Sequence, residues 1–164
     1  MVNLLGATPE SDKQDFKTFV TDPGFLPDEI KLYPCALVSG TQLVQKYREG
    51  TWQPYTKDEL VDVLVQDVLA TPPYVRISRM IRDISATDIL VGNKHTNLRQ
   101  MVEQELAAKD VANRVQEIRF REINQQQVRA AELTLQDFVY ATAVSNEHFL
   151  QWVTADNKIA GFCR

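Results

Sequence analysis

Cysteine is scarce in this chain: Cys35 and Cys163 are its only two, they lie far apart, and no Cys-x-x-Cys pair occurs. Two thiols cannot by themselves build a zinc or iron–sulfur site. The two histidines, His95 and His148, stand in no metal-ligand spacing. The chain therefore shows no metal site of its own, and its thiols read as reduced core groups. Long apolar runs are also lacking. No stretch of about 18 apolar residues exists, which excludes a membrane-spanning helix. Residues 1–6 are too short and too uncharged for a signal peptide. The address these absences point to is the cytoplasm, with no membrane partner.

An excess of positive charge is missing too, since the net charge is −4. That excludes a chain that is basic all over, but the charge is unevenly spread. Residues 72–102 hold Arg76, Arg79, Arg82, Lys94 and Arg99 against only Asp83 and Asp88. A local basic patch on an acidic protein can bind phosphate, because the field near a surface is set by neighbours within about 10 Å. The alternative is a solvated face whose arginines sit in ion pairs. What remains is ordinary for a globular protein: 44% hydrophobic and 24% charged residues, enough for one domain.

The order of elements is legible from caps and periodicity. Residues 3–7 read as the end of a buried strand. Thr8-Pro9-Glu10 opens a helix with Phe16, Phe19 and Val20 as its stripe, closed by Asp22-Pro23-Gly24. Residues 30–34 alternate like a strand that continues through 36–38, and a short helix over 43–48 stops at Gly50. Thr56 and Glu59 form a capping box for the clearest helix, in which Leu60, Leu64 and Val68 recur with Val61, Val65 and Leu69 beside them. Thr71-Pro72-Pro73 ends it. Residues 74–82 read as a strand, with Val75, Ile77, Arg79 and Ile81 on one face and Tyr74, Arg76, Ser78, Met80 and Arg82 on the other. Arg79 on the packing face reads as an internal partner. A helix from Asn97 carries Met101, Val102 and Leu106. This alternation predicts parallel βα units, as in a barrel or an open sheet. After Asp110 the pattern changes: residues 115–123 read as a charged strand, 124–127 as a polar joint, and 133–144, 148–154 and 159–163 as strands. Residues 155–158 make the turn between the last two. A strand-rich unit stopping at Arg164 would leave an edge unpaired, so the chain is expected to be part of a longer one.

Several stretches in collinear order carry a resemblance: Asn3-Leu4-Leu5-Gly6-Ala7-Thr8-Pro9-Glu10-Ser11-Asp12, Pro27-Asp28-Glu29-Ile30-Lys31-Leu32-Tyr33-Pro34, residues 50–55, Pro72-Pro73-Tyr74-Val75-Arg76-Ile77-Ser78-Arg79-Met80-Ile81-Arg82-Asp83, and Val91-Gly92-Asn93-Lys94 with Thr96-Asn97-Leu98-Arg99. Together they resemble the Elongator catalytic-subunit family and its bacterial and archaeal relatives. The resemblance implies an α/β fold. Residues 1–110 would be the C-terminal portion of a radical S-adenosylmethionine barrel, partial and parallel. Residues 111–130 would be a linker, and 131–164 the first strands of an N-acetyltransferase domain.

The activity implied is that of a tRNA uridine acetyltransferase, which uses acetyl-CoA and radical chemistry to carboxymethylate C5 of the wobble uridine. The cofactors implied for the parent are a [4Fe-4S] cluster, S-adenosylmethionine and acetyl-CoA. The cluster cysteines and the CoA loop are absent from this chain, so it is expected to be inactive alone. The family's linker often carries zinc-binding cysteines. Here Val115, Glu117 and Phe120 stand in their places, and no zinc is expected. The partners implied are tRNA and the rest of the parent polypeptide, with a homo-oligomer or Elongator-type assembly open.

On this reading Tyr74, Arg76, Arg82, Lys94, His95 and Arg99 are the candidate tRNA-binding residues. Arginine forks grip phosphate and tyrosine stacks on a base. Internal pairing of the arginines is the competing reading. Lys31 and Tyr33 would face the barrel lumen or cofactor side, with a solvated or paired lysine as the alternative. No catalytic residue is assigned. A second function remains open, a non-catalytic nucleic-acid-binding or assembly module that keeps only the scaffold.

Overall fold

A computed structural model of the chain describes residues 1–81 and 84–164. Helix α1 (Pro9–Thr21) starts at Thr8, whose hydroxyl accepts from Ser11 N–H at 3.1 Å while the Ser11 hydroxyl accepts from Thr8 N–H at 2.9 Å. Two free donors are satisfied reciprocally, so the helix has a fixed beginning. Strands β1 (Glu29–Lys31) and β2 (Leu37–Val38) follow, then helix α2 (Leu43–Arg48). Helix α3 (Lys57–Ala70) carries the expected capping box between Thr56 and Glu59. It buries Leu60, Val61, Val63, Leu64, Val65 and Val68, nearly its whole circumference, because it packs between α1 and α4 (Leu98–Ala108).

Strand β3 (Arg76–Arg79) lies parallel to β1, with Glu29 opposite Arg76, Ile30 opposite Ile77 and Lys31 opposite Arg79. Strand β4 (Ile89–Val91), which the sequence pattern did not announce, lies antiparallel to β2. The fold is mixed α/β as expected. Among the described residues, however, β1 and β3 are the one pair of strands that run parallel, beside isolated parallel bridges of Val2 to Pro34 and Glu122 to Ile159. The chain ends in an antiparallel meander, β5 (Thr134–Ala141), β6 (Asn146–Val153) and β7 (Ile159–Cys163), in that spatial order. One continuous apolar core runs from Val2 through α3 and Ile77 to Phe149, Val153 and Ile159.

Several expectations need correction. Residues 3–7 form no strand: Val2 makes a single parallel bridge to Pro34, and Asn3 turns the chain away with φ of 62°. The charged strand expected over 115–123 is instead helix α5 (Ile118–Arg121) after a 3-10 turn at Ala112–Arg114. The side chain of Glu117 caps it by accepting from Arg119 N–H and Phe120 N–H at 3.0 and 2.8 Å. Alternation along residues 74–81 also breaks. Tyr74 and Met80 are buried with Val75 and Ile77, whereas Arg79 is exposed. A register shift between Ile30 and Lys31 opposite accounts for the switch of face. The strand expected over 133–144 ends at Ala141, and Thr142 closes the turn by bonding Ser145. No described helix is long and apolar enough to cross a membrane.

Candidate functional site

Parallel strands present their ligand sites at their carboxyl ends. At the carboxyl ends of β1 and β3 the structure holds a cavity of about 220 Å³. Pro34 and Cys35, after β1, form one wall, Ile81 and Ile84, after β3, another, and Ile89 of β4 closes the back. Asn93, Lys94 and His95, on the loop after β4, also line it. That loop is shaped by Gly92, at φ of +117°, where a Cβ would come within 3.2 Å of Ala36 Cα. Glycine accepts both this approach and the positive φ without strain. Asn93 then folds the loop on itself, accepting from His95 N–H at 3.3 Å and donating to His95 O at 3.2 Å. Lys94 and His95 are both exposed. The result is an apolar pocket with a cation and an imidazole at its rim.

The arginines expected beside these groups lie elsewhere. Arg76 forks onto Glu122, with Nε at 2.8 Å from Oε1 and the second nitrogen at 3.4 Å from Oε2. Those hydrogen bonds hold its proton more tightly than usual. Arg99 is half-buried, donates to the carbonyl of Ile77, and stands 3.7 Å from the Glu117 carboxylate. Burial pulls its pKa down. Tyr74 is buried and stacks flat on Tyr140, ring centroids 3.7 Å apart and planes 7° from parallel. Burial raises its phenol pKa. Of the six candidates the structure thus brings Lys94 and His95 together, engages Tyr74, Arg76 and Arg99 internally, and leaves Arg82 outside the described residues. Lys31 is exposed on β1 and Tyr33 half-buried just beyond it. Neither lines the cavity.

Three side chains that sequence reasoning passed over organise the region. Glu117, fully buried, accepts from Ile77 N–H at 2.6 Å in addition to capping α5. Its signal was present, a carboxylate directly before a short helical stretch. Arg121, 3% exposed, donates to the carbonyls of Gln116 and Pro73 and to the side chains of Asn157 and Gln151. It thereby ties the linker to the meander. Asp67 is buried in α3, and neither of its carboxylate oxygens has a hydrogen-bond partner among the described residues. An acid inside an otherwise apolar helical run was its signal.

The residues present do not fit an iron–sulfur cluster. Cys35 lies at the cavity wall and Cys163 at the end of β7, and among the described residues no three His, Cys, Asp or Glu side chains converge. Nor is there a glycine loop between Gly92 and Gly161 that could cradle a pyrophosphate.

The radical SAM C-terminal domain family matches residues 27–108. A tRNA uridine(34) acetyltransferase of Dehalococcoides mccartyi is 36% identical over 167 residues, covering 100% of this chain and 36% of that protein. The enzyme of the same name from Methanocaldococcus infernus is 37% identical over 123 residues, 75% of this chain and 23% of its own length. Human Elongator complex protein 3 is 30% identical over 145 residues, 85% of this chain and 26% of its length. Among solved structures, the archaeal Methanocaldococcus infernus Elp3 with its N-terminus deleted superimposes with a TM-score of 0.89 at 31% identity, covering 99% of this chain and 39% of that one. The chain thus spans well under half the length of these relatives.

Proposed function

This chain belongs to the radical SAM C-terminal domain family, and on that premise we propose that it is a portion of an enzyme that modifies the wobble uridine of tRNA. The observation that carries the reading is similarity to a tRNA uridine(34) acetyltransferase along the whole chain, in company with a TM-score of 0.89 to an Elp3 structure. In this reading residues 1–110 are the C-terminal part of a radical SAM barrel, 111–130 the linker and 131–164 the opening strands of an N-acetyltransferase domain. The parent uses acetyl-CoA and S-adenosylmethionine chemistry to carboxymethylate C5 of the uridine, in the cytoplasm, alone or in an Elongator-type assembly. The [4Fe-4S] cluster and both cosubstrates would be held by residues outside this chain, so no reaction step is assigned to it.

What this chain contributes is binding and shape. Lys94 and His95 at the cavity rim are free to meet phosphate, since a flexible ammonium is a point charge suited to that task. Pro34, Ile81 and Ile89 give the pocket beneath an apolar wall. Arg76, Arg99 and Tyr74 serve a different end. They hold the linker and the meander on the α/β body, which fixes how one catalytic half is presented to the other.

The test is a chimera. Residues 1–164 replace the matching segment of the Dehalococcoides mccartyi relative, and modified wobble uridine is measured by mass spectrometry of tRNA nucleosides. Retained modification is expected. A folded chimera that binds tRNA but modifies nothing contradicts the reading and favours a scaffold that only binds.

A further inference from the structure

Strand β3 is bonded to β1 along one edge, and among the described residues no strand pairs with the other. The linker and α4 fill that second edge. Ile77 N–H donates to the Glu117 carboxylate at 2.6 Å, and Ile77 O accepts from the Arg99 guanidinium. Before it, Val75 O accepts from Ile118 N–H at 3.1 Å, and after it, Ser78 O accepts from Arg119. Arg99 belongs to the first turn of α4, the other partners to the linker around α5. Arg99 and Glu117 also stand 3.7 Å apart, so helix, strand and linker meet at one residue of β3.

That meeting point fixes what the local sequence leaves loose. Helix α4 opens at Asn97 with no side-chain cap and no acid in its first turn, so the usual local anchors are missing. Buried Leu98 seats the turn in the core, but apolar burial is non-directional, whereas the Arg99 fork sets a direction. The residues directly before this turn are the rim loop. Asn93 closes that loop on His95, so its aim is set at its junctions with β4 and α4. Lys94 and His95 are therefore placed by how the first turn of α4 sits on β3. The linker enters because one carboxylate, that of Glu117, serves Ile77, the cap of α5 and Arg99 together. Arg121 then ties α5 to the meander.

From this bridging geometry we infer that Glu117 and Arg99 are positioning residues for the phosphate site at the rim. Docking of the linker on β3 holds the first turn of α4, and that turn aims Lys94 and His95. The link runs both ways, so phosphate at the rim and a docked linker favour each other. The inference rests on the reading of Lys94 and His95 as phosphate ligands, and adds what controls them.

The test pairs tRNA binding with amide hydrogen exchange on the full chain. It uses Glu117→Gln and Arg99→Met, each checked for cooperative melting. Removing a negative charge near a phosphate site would, by charge alone, strengthen binding. Glu117→Gln is expected instead to weaken binding of labelled tRNA about fivefold or more, as is Arg99→Met. Neither should weaken it further where Lys94 and His95 are already alanine. In both variants exchange at Met101 N–H, which donates to Asn97 O across the first turn, should quicken about tenfold. Asp62→Asn, which weakens the ion pair with Lys109 at the other end of α4, should leave that amide unchanged. Binding that holds or tightens in Glu117→Gln, or a loss that persists without Lys94 and His95, overturns the inference. So does unchanged exchange at Met101, or equal quickening in Asp62→Asn. If the unaltered chain binds no tRNA, the phosphate reading falls, and the hold of the linker on the rim loop stands or falls on the exchange at Met101.

Discussion

The carboxylate of Glu117 accepts a hydrogen bond from the backbone N–H of Ile77 at 2.6 Å, across 40 residues of sequence. The same carboxylate caps α5 and faces the Arg99 guanidinium at 3.7 Å. One buried acid therefore orders the linker on the strand whose carboxyl end opens on the cavity. Removing it would leave backbone donors and a half-buried cation without their partner. Glu117→Ala is expected to cost about 3–5 kcal/mol in urea unfolding, the usual consequence of breaking a buried charge network. A double-mutant cycle with Arg99→Ala should give a coupling of about 1–3 kcal/mol. A cost below about 1 kcal/mol would remove Glu117 from this role.

Arg121 makes four hydrogen bonds that reach Gln116, Pro73, Asn157 and Gln151. A guanidinium carries five donors in a fixed plane, enough for four partners, and an ammonium carries only three. Arg121→Lys is expected to lose about 2 kcal/mol. Hydrogen exchange should quicken in β6 and β7 more than in α3. Uniform exchange across both regions would show that Arg121 does not hold the meander.

Where the sequence was legible, the signal was local. The capping box at Thr56 and Glu59 fixed the start of α3, and four-residue periodicity fixed its length. The turn at residues 155–158 announced the hairpin of β6 and β7. Where the sequence misled, a distant partner decided. Residues 115–123 alternate like a strand, but Glu117 finds donors in its own next turn and in Ile77, so they coil. Arg79 alternates with packing residues, but a shift of register opposite Lys31 turns it outward. For Arg76 and Arg99 the sequence left phosphate contact and internal pairing both open, and their partners Glu122 and Glu117 stand too far along the chain to be read as such. At the cavity, the loop of Gly92 through His95 was legible as a motif. The pocket it closes was not, because its other walls come from three separate elements.

Asp67 makes stability depend on pH. Burial, with Asp12 nearby, pushes its carboxyl up to about 8, outweighing the opposite pull of the amino terminus and Lys13. A raised acid binds its proton more tightly folded than unfolded. Its penalty is therefore absent near pH 4, grows as pH rises, and levels off above pH 8. Asp67→Asn should match the parent chain near pH 4 and exceed it by a few kcal/mol at pH 8, on the order expected for such a displacement. Equal stabilities at both pH values would contradict a buried, unpartnered carboxyl.

Gly92 tests the cavity wall. Alanine there meets both a positive φ and the backbone of Ala36 at 3.2 Å. Gly92→Ala is expected to cost about 1–3 kcal/mol, read as a lower melting temperature. An unchanged melting temperature would mean that the loop has room to move.

Binding of tRNA, measured against salt, tests the functional account most directly. Fluorescence polarisation of labelled tRNA with the chain is expected to show affinity falling tenfold or more between about 50 and 200 mM salt. Replacing Lys94 and His95 together by alanine should weaken binding and lower the salt slope by about one for each phosphate no longer neutralised. Affinity that ignores salt, or a double variant that binds as tightly as the parent chain, would contradict the account.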